Sequence, residues 1–143
     1  MRMRTLLVFV ISSLCGIMTA SLGAQSLPTR FNVPFEFAVG GKTLPAGEYE
    51  VVLGSNRNGL VEIQSADGHS TLFTMTHGGA ASASSEKPAL VFHRYGNQYF
   101  LEQFSTGEGQ APVLELPSTK AEREAVKIAS SRQVETVTLV ATR

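Results

Sequence analysis

The 143-residue sequence predicts a mainly β fold, an antiparallel β-sandwich or small β-barrel with one short C-terminal α-helix. Three observations predict it. Apolar residues recur at every second position over most of the chain, which is the period of a strand with one buried face. Glycine-bearing pairs, Gly40-Gly41, Asp67-Gly68 and Gly96-Asn97, separate those runs at hairpin spacing. A single late stretch, "STKAEREAVKIAS", switches to helical periodicity behind a capping signal.

At the N-terminus Arg2 and Arg4 precede the apolar run Leu6 to Met18, and the small residues Ala20, Ser21, Gly23 and Ala24 follow. This is the pattern of a secretory signal peptide, with cleavage expected between Ala24 and Gln25. The apolar run is shorter than the roughly 18 residues read as a membrane span, so no stable span is expected after cleavage. The expected organisation is therefore a signal peptide over 1–24 and a single secreted β-rich domain over 25–143, periplasmic or extracellular. The only cysteine, Cys15, lies inside the apolar run and follows Leu14, where a lipidated cysteine needs a small residue. The processed domain then has no cysteine, which removes disulfides, thiolate metal sites and a cysteine nucleophile together.

In the domain, Phe31, Val33, Phe35, Phe37 and Val39 alternate through "RFNVPFEFAV", with Pro34 marking an edge or a bulge. Beyond Gly40-Gly41, Tyr49, Val51 and Leu53 give a second strand. "SNRNG" turns the chain into a third around Val61 and Ile63, and Asp67-Gly68 turns it into a fourth, "HSTLFTMT". Residues 77–88, "HGGAASASSEKP", offer little that can pack and read as a surface loop. "ALVFHRY" and "QYFLEQF" then flank Gly96-Asn97 as a tight hairpin with Arg94 facing Tyr99, Phe92 facing Leu101, His93 facing Phe100 and Tyr95 facing Gln98. A short strand is expected at Val113 to Leu116. Thr119 and Glu122 have capping-box spacing, and Ala121, Ala125 and Ile128 mark the helical face expected to dock. "VETVTLVAT" reads as a last strand.

Composition narrows the function classes. The chain carries twelve basic and twelve acidic side chains, and without Arg2 and Arg4 the acidic ones exceed by two. Basic residues are scattered, so a nucleic-acid surface is not expected. Gly41-Lys42-Thr43 spells the end of a phosphate loop, but Glu36 stands where the loop's first glycine belongs, and Pro45 with Gly47 blocks the helix that must follow. In "LPAGEY", Pro45 is expected to fix a turn dihedral, Gly47 to adopt a conformation closed to other residues, and Tyr49 to begin a buried face. Short strands and the absence of a terminal aromatic disfavour an outer-membrane barrel.

The blocks "VPFEFAVGGKTLPAGEYEV", "LVFHRYGNQYFLEQF" and "LPSTKAERE" resemble those shared by a family of small uncharacterised secreted proteins of acidobacteria, and they span most of the domain. The resemblance implies export and brings no established activity with it. "LPAGEYEV" alone resembles the turn and strand of carboxypeptidase regulatory-like and other immunoglobulin-like sandwiches, which implies a binding or spacing module.

No catalytic set, metal site or cofactor motif is assigned. His69 and His77, at opposite ends of one predicted strand, would be roughly 26 Å apart, and His93 has Val91 and Tyr95, not ligands, two residues away. No Gly-x-Ser-x-Gly elbow exists. Glu36 is the acidic residue to watch, an exposed outer-face glutamate being the plainer reading. The hairpin offers the candidate ligand-binding residues. Leu90, Phe92, Arg94, Tyr99 and Leu101 share one face, and Val91, His93, Tyr95, Phe100 and Phe104 the other, so both faces are largely apolar. Either the late helix covers the second face, or His93, Tyr95 and Phe100 form an aromatic platform, with Arg94 over Tyr99 as a cation–π pair on the reverse. The expected function is a secreted, non-catalytic binding or envelope-associated module for an envelope or extracellular ligand. The alternatives are a small hydrolase with a cleft near His93, Glu102 or Glu36, and a structural or protein-partner module. Edge strands without blocking charges admit a homodimer by strand pairing.

Overall fold

Strands form where the alternation runs, and Pro34 decides how they divide between two sheets. The computed structural model of the chain describes residues 28–54, 59–79, 87–105, 107, 113–129 and 134–142. The expected signal peptide, Cys15, the "SNRN" turn and most of the 77–88 loop lie outside the described residues. In chain order the elements are β1 (Thr29–Val33), β2 (Phe37–Val39), β3 (Lys42–Leu44), β4 (Gly47–Leu53), β5 (Leu60–Ser65), β6 (Thr71–Met75), β7 (His77–Gly78), β8 (Ala89–Tyr95), β9 (Gln98–Ser105) and β10 (Leu114–Glu115). They are followed by α1 (Lys120–Ala129) and β11 (Glu135–Val140).

The architecture is mainly β, with two sheets and one short C-terminal helix among the described residues. The first sheet runs β1-β4-β5-β6 and the second β11-β8-β9-β10-β7, with β2 beside β9 and β3 beside β2. All pairings are antiparallel except β2 with β9, which meet in parallel at Ala38 and Phe100. One of the two sheets curls like half a barrel. At its β11 side the second sheet reaches the first, where the Thr142 amide donates to the Arg30 carbonyl at 3.0 Å. Among the described residues, no helix is long and apolar enough to cross a membrane.

The single strand expected across Pro34 is two. Pro34 has no amide to donate, the ladder stops at Val33, and the chain passes from one sheet to the other. Phe31 and Val33 therefore enter the core from the first sheet and Phe37 and Val39 from the second, all four buried. Tyr49, Val51, Val61 and Ile63 meet Leu90, Phe92, Leu101 and Phe104 in the same cluster. Phe37 sits edge-on to both Tyr49 and Phe92, at 5.2 and 5.4 Å between ring centres, and Phe31 meets Phe104 at 6.0 Å.

Gly40 and Gly41, at φ of 57° and 81°, form the two-residue turn between β2 and β3. Two successive positive φ values suit the right-handed twist of the flanking strands. Gly-Lys-Thr is thus a turn entering a strand. Gly47, expected to hold the unusual backbone conformation, does not. It lies in β4 opposite Val33, outside the positive-φ glycines. The "LPAG" corner is held instead by the Tyr49 hydroxyl, which donates to the Pro45 carbonyl at 2.6 Å. Burial, then the charge of Asp67, pushes the Tyr49 pKa up.

All four predicted β8–β9 pairs are present, but the register shifts by one residue between Phe92 and Val91. Phe92 faces Leu101 while Val91 faces Gln103, so Glu102 is the extra residue of a β-bulge. Its carbonyl is not lost to solvent, because the Leu116 amide donates to it at 2.8 Å. The bulge corrects the expected faces: Phe104 lies opposite Leu90 and is buried in the core, not on the outer face with His93. Without it, Gln103 would point inward and Phe104 outward. The polar pair Glu102-Gln103 between Leu101 and Phe104 is its signature.

The helix starts where expected, and Thr119 Oγ1 accepts the Glu122 amide at 3.2 Å. Its docking face differs. Glu122 and Ala125 are buried, Ala121 is exposed, and Ile128 is 85 % exposed. The inward face carries Glu122, whose carboxylate lies 3.8 Å from His93 on β8.

Candidate functional site

The outer face of the β8–β9 hairpin carries a histidine between two carboxylates. Alternation along β8 puts His93 and Tyr95 outward, and β9 supplies Phe100 and the bulged Glu102. α1 lays Glu122 across them. His93 Nε2 stands 2.6 Å from Glu102 Oε2, and His93 Nδ1 stands 3.8 Å from Glu122 Oε1 and 3.4 Å from the Tyr95 hydroxyl. Glu122 is only 8 % exposed, whereas the His93 side chain keeps 24 %. Phe100 is buried, whereas His93 and Tyr95 stay half-open.

Glu102 titrates above the ordinary carboxylate range. Burial raises it most, the His93 charge opposes that, and the charges of Glu122 and Glu115 raise it further. Tyr95 is also pushed up, first by burial and then by Glu122 and Glu102. Because Glu102 binds its proton more tightly in the folded chain than in the unfolded one, its contribution to stability is fully present below the ordinary carboxylate pKa. It is lost as pH rises through the raised folded value. Glu102→Gln, whose side-chain oxygen still accepts from His93 Nε2, is expected to flatten that part of the stability–pH profile. Urea melts at stepped pH check it, and a profile that keeps its full slope in the variant would contradict the assignment.

Beside this cluster, at the hairpin tip, lies a cleft of about 120 Å³. The parallel contact of β2 with β9 builds one wall, and the first turn of α1 another. Glu36, Thr43, Asn97 and Gln98 are the polar residues that line it. Phe37, Tyr99 and Phe100 also line it, with the short side chains of Ala38 and Ala121. Such a volume is below the roughly 300–1,000 Å³ of sites that enclose a whole small molecule. The cleft has the volume of about one ring or one side chain.

The chain matches no family model, no curated protein and no solved structure in the comparisons made. The site is accordingly read from its own geometry.

The five candidate residues fall into two groups. His93, Tyr95 and Phe100 come together on the outer face, with the Tyr95 ring 6.0 Å from His93 and 5.8 Å from Phe100. Phe100 is buried and supports the others from below. Arg94 and Tyr99 lie on the reverse face. Tyr99 stacks on Phe35 at 3.8 Å, and Arg94 sits 5.4 Å over the Tyr99 ring. Arg94 also pairs with Glu135 at 3.0 Å and donates to the Gly96 carbonyl at 2.8 Å. Arg94 thus braces the hairpin, and Tyr99 is packed between Phe35 and Arg94.

Glu36 is exposed in the connection between β1 and β2, at the cleft rim. His69 lies in the β5–β6 turn, where its amide donates to Asp67 at 2.9 Å, and His77 begins β7, so the single strand expected to join them is two. Among the described residues, no three His, Cys, Asp or Glu side chains are grouped to hold a metal. Sequence reasoning missed Glu122 as a partner of His93. Its signal was an acidic residue three positions before Ala125 on the only helical face with small residues. Asn97, Gln98 and Thr43 passed as turn and strand residues, because a cleft assembled from three separate segments has no linear pattern.

Proposed function

We propose that the protein is an exported, non-catalytic binding module whose recognition surface is the β8–β9 hairpin: the tip cleft, continued by the half-exposed His93 and Tyr95. The observation that carries this reading is the cleft itself. Residues that carry amides, a carboxylate and a hydroxyl, Asn97, Gln98, Glu36 and Thr43, line one space together with Phe100, Ala38 and Ala121. Polar groups fix the orientation of a ligand and ring faces supply contact area. The cleft's size suits one sugar ring or one polar side chain of an envelope polymer or extracellular peptide. Export rests on the pattern from Arg2 to Ala24, and the resemblance to small secreted acidobacterial proteins agrees with it. The scattered basic residues speak against nucleic acid.

A hydrolase is the second reading, favoured by the 2.6 Å pair of His93 with Glu102. It is the weaker one. The hydroxyl joined to His93 is the Tyr95 phenol, and burial makes that phenol harder to deprotonate, the opposite of what an attacking group needs.

A thermal-shift screen of the exported protein against oligosaccharides, cell-wall fragments, peptides and fatty acids tests the reading. A ligand at a hundred times its Kd stabilises by about 2.7 kcal/mol. Tyr95→Ala or Gln98→Ala should weaken that ligand at least tenfold while leaving the unliganded melt almost unchanged. A flat panel would overturn the binding reading. A turnover abolished by His93→Ala alone, with the fold retained, would establish the hydrolase instead.

A further inference from the structure

We infer that β6 is a self-association edge: two copies of the chain join through antiparallel β6–β6 pairing about a two-fold axis at Phe73. Among the described strands, β6 ends the first sheet and pairs only with β5. The phase of its hydrogen bonds shows what the other edge presents. The Thr76 amide donates to the Gly59 carbonyl at 2.6 Å, and the Ser65 amide to the Ser70 carbonyl at 2.8 Å. In an antiparallel ladder, hydrogen-bonded and non-hydrogen-bonded pairs alternate. The pairs Val61–Thr74 and Ile63–Leu72 are therefore bonded, and Leu60–Met75, Glu62–Phe73 and Gln64–Thr71 are not. On β6 it is Thr71, Phe73 and Met75 that turn their amides and carbonyls to the open edge.

The same three residues point their side chains to the outer face. Phe73 is 59 % and Met75 55 % exposed, with Leu60 beside Met75 on the neighbouring strand. The strand "TLFTM" holds no charge and no proline, the devices that keep free edges apart. The opposite edge of this sheet differs: β1 carries Arg30, paired with Glu50, and its Arg30 carbonyl is taken by Thr142. An edge whose outward groups sit at alternate positions is complementary to itself under a two-fold rotation. With Phe73 opposite its own copy, Thr71 faces Met75 of the second chain and Met75 faces Thr71. All outward amides and carbonyls of the three residues are then paired, the two Phe73 rings are neighbours, and the two sheets become one of eight strands.

Analytical ultracentrifugation of the full exported chain from micromolar to near-millimolar concentration tests this. A monomer–dimer equilibrium is expected, and Phe73→Lys, on the solvent face of β6, should raise the dissociation constant at least tenfold with an unchanged melt. Register is tested with introduced cysteines, since the processed chain has none of its own. The double variant Thr71→Cys/Met75→Cys should cross-link between chains under mild oxidation, since hydrogen-bonded partners lie about 5.5 Å apart between Cα atoms. Thr71→Cys alone should not, its two copies standing about 13 Å apart along the ladder. A chain that stays monomeric throughout, a dimer indifferent to Phe73→Lys, or equal cross-linking by the single variant would each overturn the proposal.

Discussion

Phe92→Ala is expected to cost about 3–5 kcal/mol, the range for emptying a buried phenylalanine site. Phe92 has no exposed surface, and its ring lies edge-on to both Phe35, at 5.2 Å, and Phe37, at 5.4 Å. Those neighbours come from the segment in which Pro34 carries the chain between sheets, so the ring joins β8 to the crossover as well as to the opposite sheet. Its surroundings are themselves rigid rings, and Phe35 is fixed by stacking on Tyr99. A cavity left there collapses poorly, which places the effect at the upper end of the range. For a domain of this size the melting temperature should fall by roughly 10–25 °C. Urea melts of the variant check it, and a loss under 1 kcal/mol would mean that the crossover does not lock the two sheets.

Gly59→Ala comes next, with an expected cost of about 3 kcal/mol from a left-handed backbone and an overpacked contact together. Gly59 holds φ at 68°, and a Cβ built there overlaps the Thr76 carbonyl oxygen. That obstacle is backbone and cannot rotate away. It is also pinned, because the Gly59 carbonyl accepts both the Thr76 amide at 2.6 Å and the Thr76 hydroxyl at 2.7 Å. Gly68→Ala is the matching control, for Gly68 has φ of 72° with open space where the Cβ would go. It should cost only the backbone part, about 1–2 kcal/mol. Equal losses at the two positions would show that the Thr76 contact contributes nothing.

These two residues also show how far the sequence could be read. Alternation put Phe92 on one face with Leu90 and Leu101, and Asp67-Gly68 and Gly96-Asn97 marked their hairpins, because period-2 patterns and positive-φ turns are local requirements visible in a few residues. The paired residues around Gly96-Asn97 followed from turn length alone. What was not legible depended on segments far apart in the chain. Pro34 was seen as an irregularity, but only the packing of two sheets makes it a crossover. The bulge at Glu102 reversed the expected side of Phe104, since counting by twos carries an error past any extra residue. Ile128 looked like the docking residue of α1 by helical spacing, yet the face that carries Glu122 and Ala125 turns inward, with Glu122 3.8 Å from His93. The pairing of β11 with β8, which gives Arg94 its partner Glu135, joins strands with β9, β10 and α1 between them in the chain and leaves no local trace.

The candidate site divides in the same way. His93, Tyr95 and Phe100 were legible as one face of one hairpin. The cleft that completes them draws Glu36 and Thr43 from the crossover hairpin and Ala121 from the helix, positions brought together only by the parallel contact of Ala38 with Phe100.

The central claim, that the hairpin tip and its outer face receive a ligand, is tested most directly by amide chemical-shift mapping of the protein titrated with whichever compound stabilises it in the thermal screen. The predicted result is a set of saturable shifts clustered at Asn97, Gln98, Thr43, Glu36 and Ala121 and continuing to Tyr95, with little change on β5 and β6. Shifts centred on another surface, with those residues unmoved, would contradict it.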